Sequence, residues 1–135
     1  MRYGFTGSRV INPQKLVDAC RVLDALADGK EFTTGACVGW DAWIGRHLAN
    51  QFPNAVHRIV VPFNHDLVDP EVYDWATEVI EMPEGTNYRD RNNKILDYTD
   101  LLYAFITGSL NPRSGTSMTI NLASNRNIKR IPVLV

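Results

Sequence analysis

The chain has few of the features that mark secreted, membrane-spanning or metal-binding proteins. Its 135 residues include only two cysteines, Cys20 and Cys37, without metal-ligand spacing or a disulfide-rich context. Reduced thiols in a cytoplasmic protein are therefore the plain interpretation, and no metal site is expected. Met1 leads directly into a strand-like segment, with neither a charged and apolar leader nor a run long enough to span a bilayer. The sequence predicts a cytoplasmic protein that does not enter a membrane.

An excess of charge of one sign is also missing. Fourteen Lys and Arg residues against fifteen Asp and Glu residues give a net charge of -1, and the arginines are spread along the chain. A broad basic surface for nucleic acid is therefore not expected. The chain has no linker, repeat or low-complexity tract, and residues 1–135 are interpreted as one domain.

Strand-like and helix-like segments alternate along the whole chain. Strands are predicted over Arg2–Thr6, Glu31–Thr34, His57–Val61, Val79–Met82, Leu101–Ile106 and Ile131–Val135. Helices are predicted after Asn12-Pro13, from about Asp41 to Phe52, from Asp69-Pro70 to Trp75, from Tyr88 to about Tyr98, and from Met118 to about Asn125. This alternation predicts an α/β, Rossmann-like domain of three layers, with a mostly parallel sheet of about six strands in the order 3-2-1-4-5-6.

Four polar, glycine-bearing loops would then lie together at one edge of the sheet. They are Gly7–Arg9, Gly35–Asp41, Glu84–Asn92 and Asn111–Ser117, which follow the strands expected at its centre. Parallel sheets of this kind bind ligands where the strand order reverses. The sequence therefore predicts a single pocket at this edge.

The loop Asn111–Ser117 is the strongest phosphate candidate. The first N–H groups of a helix lack partners within the helix, and together with the helix dipole they favour an anion. Gly115 would allow close approach, the hydroxyls of Thr116 and Ser117 would add donors, and Arg113 would clamp the phosphate. The alternative is an ordinary loop whose serine caps a helix.

Two further loops carry candidate ligand contacts. Arg91 and Asn92 lie at the amino end of a helix whose apolar stripe becomes polar there, although a surface arginine and a cap-competing asparagine explain them too. Gly35 and Gly39 permit a tight turn before Asp41, which either caps its own helix or accepts a hydrogen bond from a ribose hydroxyl.

The first loop, Gly7-Ser8-Arg9, would line the same phosphate site with backbone N–H groups and the Ser8 hydroxyl. Arg9 would either reach the phosphate or cover the sheet edge. The spacing does not match the G-x-G-x-x-G dinucleotide fingerprint, which argues against an ordinary NAD fold, and no cofactor is expected.

Three of these segments together resemble a known group of proteins. The runs Thr34–Ala42, Arg91–Ile95 and Ser114–Ala123 are similar in order and spacing to the motifs of the SMF/DprA-LOG (SLOG) superfamily, nearest to its small YspA-like branch. The resemblance covers nearly the whole chain. It implies a Rossmann-like fold that binds a nucleotide or nucleotide-derived ligand, often as a homodimer. The residues that it places at the ligand are Gly35, Gly39, Asp41, Arg91, Asn92, Ser114, Gly115 and Thr116.

The chain departs from the LOG phosphoribohydrolases at one position. Thr119 stands where their P-G-G-x-G-T-x-x-E pattern has the glutamate that serves glycosidic cleavage. A threonine cannot stabilise an oxocarbenium-like transition state as a carboxylate can, so Asp41 or Glu84 would have to supply the acid.

Three functions follow as hypotheses. The first is nucleotide binding for sensing, sequestration or signalling. The second is hydrolysis or transfer at an N-glycosidic bond of a nucleoside monophosphate. The third is single-stranded DNA binding, as in the DprA branch, against which the missing basic groove argues.

Overall fold

The computed structural model describes residues 1–108 and 114–135, and it has the predicted α/β, Rossmann-like architecture. The strands are β1 (Arg2–Gly7), β2 (Glu31–Gly35), β3 (Val56–Val61), β4 (Glu78–Glu81), β5 (Leu101–Ile106) and β6 (Lys129–Leu134). They form one sheet in the order β4-β3-β2-β1-β5-β6, and every neighbouring pair is parallel. The domain therefore has the expected open parallel sheet with flanking helices.

The observed strand order differs from the predicted one in the place of β4. The order 3-2-1-4-5-6 put this strand beside β1, whereas it lies at the edge beside β3, and β5 takes the place next to β1. The strands are therefore added toward one edge as far as β4. The chain crosses to the other side of β1 only with β5, one strand later than predicted. β4 is short and exposes Val79 between two glutamates, which suits an edge position. At the opposite edge, β6 carries Pro132, as its sequence predicted.

The helices are α1 (Leu16–Asp24), α2 (Trp40–Gln51), α3 (Val72–Trp75), α4 (Tyr88–Asp97) and α5 (Gly115–Asn125). Side-chain caps mark the start of α4, of α5 and of the 3-10 turn before α1, whereas α1, α2 and α3 begin without one among the described residues. A 3-10 turn, Pro13–Lys15, precedes α1, and the Asn12 side chain accepts a hydrogen bond from the backbone N–H of Gln14. Asn87 and Asp90 form a reciprocal capping box at the start of α4. No helix within residues 1–108 or 114–135 combines the length and apolar character needed to cross a membrane.

The two faces of the sheet are covered by different helices. α1 and α2 cover one face, where Phe5, Phe32 and Trp40 are buried in the main core. On the other face α4 and α5 pack against each other around Leu96 and Leu102. Side chains alternate between the faces of a strand, so β5 contributes to both cores. To return from the edge strand β4 to β5, α4 passes across β3 and β2.

Candidate functional site

A cavity of about 380 Å³ lies at the carboxyl edge of the sheet, where the strand order reverses. Its walls come from the loops after β1 and β2 and from the first turns of α2, α4 and α5. The predicted residues that line it are Gly7, Ser8, Arg9, Asp41, Arg91, Asn92, Ser114, Gly115 and Thr116. The structure thus brings segments from four separated parts of the chain to one cavity.

The remaining predicted residues do not line the cavity or are not described. Gly35, Gly39 and Ser117 lie just behind its wall or next to residues that form it. Glu84 is exposed beyond the edge strand β4 and does not line the cavity. Arg113, like Asn111 and Pro112 of the predicted phosphate loop, lies outside the described residues.

Asp41 is the acidic group of the cavity. It lies in the first turn of α2 and is 8% exposed. Burial raises the pKa of its carboxyl to about 6, while Arg91, the backbone N–H of Gly7 and Arg9 act in the opposite direction. Its Oδ1 is buried and accepts no hydrogen bond from the described residues. Because an unsatisfied buried acceptor is costly, a hydrogen-bond donor that reached this oxygen would be stabilised.

Arg91 is the buried cationic group of the cavity. Its side chain is 6% exposed, so it is about as buried as Asp41. Its Nε donates to Asn92 Oδ1 over 2.8 Å, and its Nη1 donates to Cys37 Sγ over 3.8 Å. No carboxylate oxygen of residues 1–108 and 114–135 lies within the 4.0 Å that defines an ion pair with this guanidinium. The side-chain hydrogen-bond partners of the guanidinium among the described residues are therefore neutral, and Asp41 acts on it only through the longer-range attraction of opposite charges.

Glycine at position 35 allows the two charged groups to approach each other. A Cβ there would lie 2.5 Å from Asp41 Oδ2 and 2.6 Å from Arg91 Nη1. Any larger residue at the end of β2 would have to displace them. Gly35 thus leaves room for Asp41 and Arg91 behind the cavity wall, without lining the cavity itself.

Gly39 fixes the loop after β1 against the start of α2. Its φ of +98° is in the left-handed region, and a Cβ there would collide with the backbone of Arg9. The next residue, Trp40, donates its backbone N–H to the carbonyl of Ser8 over 3.0 Å. These contacts hold Arg9 at the cavity mouth, with its guanidinium carbon 5.9 Å from the centre of the Tyr88 ring.

The hydroxyl of Ser8 has protein partners. Its Oγ donates to the carbonyl of Val10 over 3.0 Å and lies 2.7 Å from Thr107 Oγ1. Trp40 Nε1 also donates to Thr107 Oγ1, over 3.2 Å. Ser8 therefore links the loops after β1 and β5, a role that its place in a polar loop did not reveal.

The amino end of α5 forms the opposite wall. Ser114 caps the helix, since its Oγ accepts the backbone N–H of Ser117 over 3.1 Å. A Cβ at Gly115 would meet no atom of the described residues within 4 Å, so these residues leave room for a side chain here. Ser114 therefore caps a helix, as in the alternative interpretation, and the same segment also lines the cavity.

Thr119 is turned away from the cavity. It is 1% exposed, and its hydroxyl donates to the carbonyl of Gly115 over 2.9 Å within α5. The position that carries an acid in the LOG pattern is thus used here for a bond inside the helix.

Some lining residues were missed because their positions carry no polar signal. Met118 lines the cavity, and its Sδ accepts from Asn92 Nδ2 over 3.5 Å. It lies one turn after Gly115, so helical spacing would have found it. Thr6, the last residue of the predicted first strand, also lines the cavity, as do Cys37 and Val38 within the predicted loop Gly35–Asp41. Tyr88, one of several candidate stacking aromatics in the sequence, is at the cavity as well.

Among the described residues, no group of three or more His, Cys, Asp or Glu side chains is placed to hold a metal ion. Comparisons with protein-family models, with curated proteins and with solved structures find no match to this chain.

Proposed function

We propose that this protein binds a nucleotide or nucleotide-derived small molecule in the cavity and acts as a sensor, a sequestering protein or a signalling protein. The observation that carries the proposal is that Asp41, whose buried Oδ1 accepts no hydrogen bond from the described residues, lines the same cavity as the amino end of α5. A helix amino end attracts anions, and a lone carboxylate oxygen attracts donors. A phosphorylated sugar carries both kinds of group.

The charges around the cavity support an anionic ligand. Arg91 has only neutral hydrogen-bond partners among the described residues, and Arg9 stands exposed at the entrance. A phosphate would neutralise a buried guanidinium, and charge-assisted bonds of this kind are about twice as strong as neutral ones. We place the phosphate at Gly115 and Thr116, within reach of these arginines, and the sugar between Asp41 and Asn92.

The size of the cavity supports a small ligand. At about 380 Å³ it falls at the lower end of the roughly 300–1,000 Å³ typical of small-molecule sites. Tyr88 and Met118 give it apolar surface against which a base could pack. A mononucleotide suits this space better than a long polymer.

The test is Gly115→Asp, which puts a carboxylate where the phosphate is placed. The described residues leave room for a side chain at position 115, so the variant is expected to fold. We expect at least a tenfold loss of nucleotide affinity in calorimetry, after a thermal-shift screen of mono-, di- and cyclic nucleotides has identified the binders. Asn121→Asp adds the same charge at an exposed position of α5 and is the matched control. Nucleotide responses that survive Gly115→Asp unchanged, or a complete absence of nucleotide binding in the parent protein, would contradict the proposal.

A second function is favoured by one observation at the same site. A cavity carboxyl with a pKa near 6, as at Asp41, is suited to give and take protons near neutral pH. Hydrolysis or transfer at an N-glycosidic bond of a nucleoside monophosphate is therefore our second candidate, with Asp41 as the acid. Incubation with nucleotides and chromatography for free base distinguishes it from binding alone. Base release by the parent protein that disappears in Asp41→Asn is the supporting result, and no release rejects it.

The homodimer implied by the SLOG resemblance and the cytoplasmic location stay predictions. Light scattering with and without the bound nucleotide tests the first.

A further inference from the structure

A second cluster of reactive side chains lies on the helical layer formed by α1 and α2, outside the nucleotide cavity. Cys20 and Asp24 are one turn apart on α1, and His47 on α2 lies between them. Cys20 Sγ is 3.9 Å from His47 Nδ1, and Asp24 Oδ1 is 2.7 Å from His47 Nε2. Cys20 and His47 are partly exposed, so small molecules in solvent can reach them.

The hydrogen bonds of this cluster set the direction of proton transfer. A carboxylate can only accept, so the bond to Asp24 requires a hydrogen on His47 Nε2. In the neutral imidazole, Nδ1 then carries no hydrogen, and its lone pair faces the Cys20 thiol. The Trp43 ring stacks on the imidazole at 5.3 Å between centroids and 12° between planes, which restricts its rotation. The thiol, base and orienting carboxylate thus stand in the order used to activate nucleophiles.

Cys20 needs such a base. Burial, followed by the nearby charge of Asp24, raises the pKa of its thiol, so the sulfur is protonated at neutral pH. A protonated thiol is a poor nucleophile, and a neighbouring group must take its proton during attack.

We propose that Cys20 is a modification site that reacts with low-molecular-weight disulfides, with His47 as general base and Asp24 as the residue that positions it. The thiol proton moves to Nδ1 while the sulfur attacks one sulfur of the disulfide. A mixed disulfide forms, the original S–S bond breaks, and the departing thiolate takes the proton back from the imidazolium. The Cys20 sulfur is oxidised, and the departing sulfur is reduced.

Cys37 provides an internal comparison. It is 4% exposed and its Sγ accepts a hydrogen bond from Arg91, while no imidazole adjoins it among the described residues. We therefore expect the two cysteines to differ in reactivity, with Cys20 reacting first.

The experiment uses the whole protein with bis(2-hydroxyethyl) disulfide, an uncharged probe whose approach is insensitive to local charge. Intact mass spectrometry gives the rate, and peptide mapping assigns the site. We expect modification at Cys20, slowed at least tenfold in His47→Gln, since general bases contribute about 10²–10⁴-fold. Asn50→Gln places the same residue at an exposed position of α2 and is the control, expected to keep the parent rate.

Substitutions of Asp24 distinguish a role in positioning His47 from a purely structural role. Because it is exposed, both Asp24→Asn and Asp24→Glu are expected to fold, which melting curves check. We expect Asp24→Asn to slow the reaction severalfold and Asp24→Glu to restore it. Equal rates in the parent and His47→Gln, or modification of Cys37 ahead of Cys20, would overturn the proposal and leave the cluster as a contact between α1 and α2.

Discussion

Two buried arginines at opposite ends of the sheet have very different surroundings. Arg58 on β3 and Arg91 on α4 are each 6% exposed. Arg58 donates to Glu31 and Glu78 over 2.9 and 3.0 Å, and its guanidinium carbon lies 4.1 Å from the centre of the Tyr98 ring. Arg91, at the carboxyl end, binds a neutral amide and a thiol.

The difference indicates that Arg58 has a structural role, whereas Arg91 is available to bind a ligand. Burying a cation costs several kcal/mol, and the protein offsets this at Arg58 with two carboxylates. At Arg91 the neighbouring carboxyl, Asp41, makes no direct ion pair with the guanidinium, and burial raises the pKa of that carboxyl to about 6. A bound phosphate would supply the direct ionic partner that Arg91 lacks among the described residues, and four predictions follow from this contrast.

The largest expected effect is on ligand affinity in Arg91→Met. The substitution keeps the apolar volume and removes the guanidinium that we place against the phosphate. We expect about a hundredfold weaker binding of the best nucleotide, roughly 2.7 kcal/mol, while the free energy of unfolding changes by less than about 1 kcal/mol. Calorimetry and urea denaturation measure the two quantities. A large loss of stability with affinity retained would make Arg91 a structural residue like Arg58.

Arg58→Met is the matched substitution at the other end, and the expected effects are reversed. Removal of the cation leaves Glu31 and Glu78 facing each other without their shared partner. Breaking a buried pair typically costs 3–5 kcal/mol, but the glutamate side chains are 32% and 42% exposed, so we expect about 2 kcal/mol. Nucleotide affinity should remain within twofold. An affinity loss as large as that of Arg91→Met would show that the two ends are not independent.

The sequence distinguished these two regions only in part. The alternation of strands and helices predicted the fold class, and Asn12 and the proline of β6 marked a helix start and a sheet edge through local chemistry. Strand order depends on how the connecting helices pack across the sheet, which is not a local property. The edge place of β4 was therefore missed, and with it the exposure of Glu84.

The sequence predicted those candidate site residues that are polar or glycine and that also stand at the end of a strand or the start of a helix. Gly7–Arg9, Asp41 and the segment from Ser114 to Thr116 each follow a strand or begin a helix, and they meet at the cavity. Arg91 reaches it although β4 is at the edge, because α4 crosses β3 and β2 on its way to β5. Helical spacing indicated that Arg91 and Asn92 face the cleft, whereas the depth of their burial, at 6% and 3% exposed, depends on contacts distant in sequence.

The acid of the cavity should reduce the stability of the protein in a pH-dependent way. The pKa of Asp41 is raised from 3.8 to about 6 on folding, so the folded state holds its proton more tightly. The resulting destabilisation is absent below about pH 4, grows as the pH rises, and is complete above about pH 6. We expect Asp41→Asn to increase the free energy of unfolding by up to about 2 kcal/mol at pH 7.5 and by clearly less at pH 4.5. Urea denaturation at both pH values measures this, and an equal gain at both would disprove the titration.

The smallest expected effect concerns the sugar. Because Asp41 Oδ1 is a buried acceptor without a partner among the described residues, a ribose hydroxyl can satisfy it, whereas a 2′-deoxyribose offers one donor fewer. We expect the ribonucleotide to bind about tenfold more tightly than its 2′-deoxy form, and this preference to fall below threefold in Asp41→Ala, which removes the acceptor. Calorimetric titration of both ligands into both proteins forms a double-mutant cycle, which isolates the contact from any general weakening. Equal binding of the two nucleotides by the parent protein would leave the phosphate end of the proposal intact and remove Asp41 from the sugar. The phosphate would then be the one part of the ligand that accounts for the difference between Arg58 and Arg91.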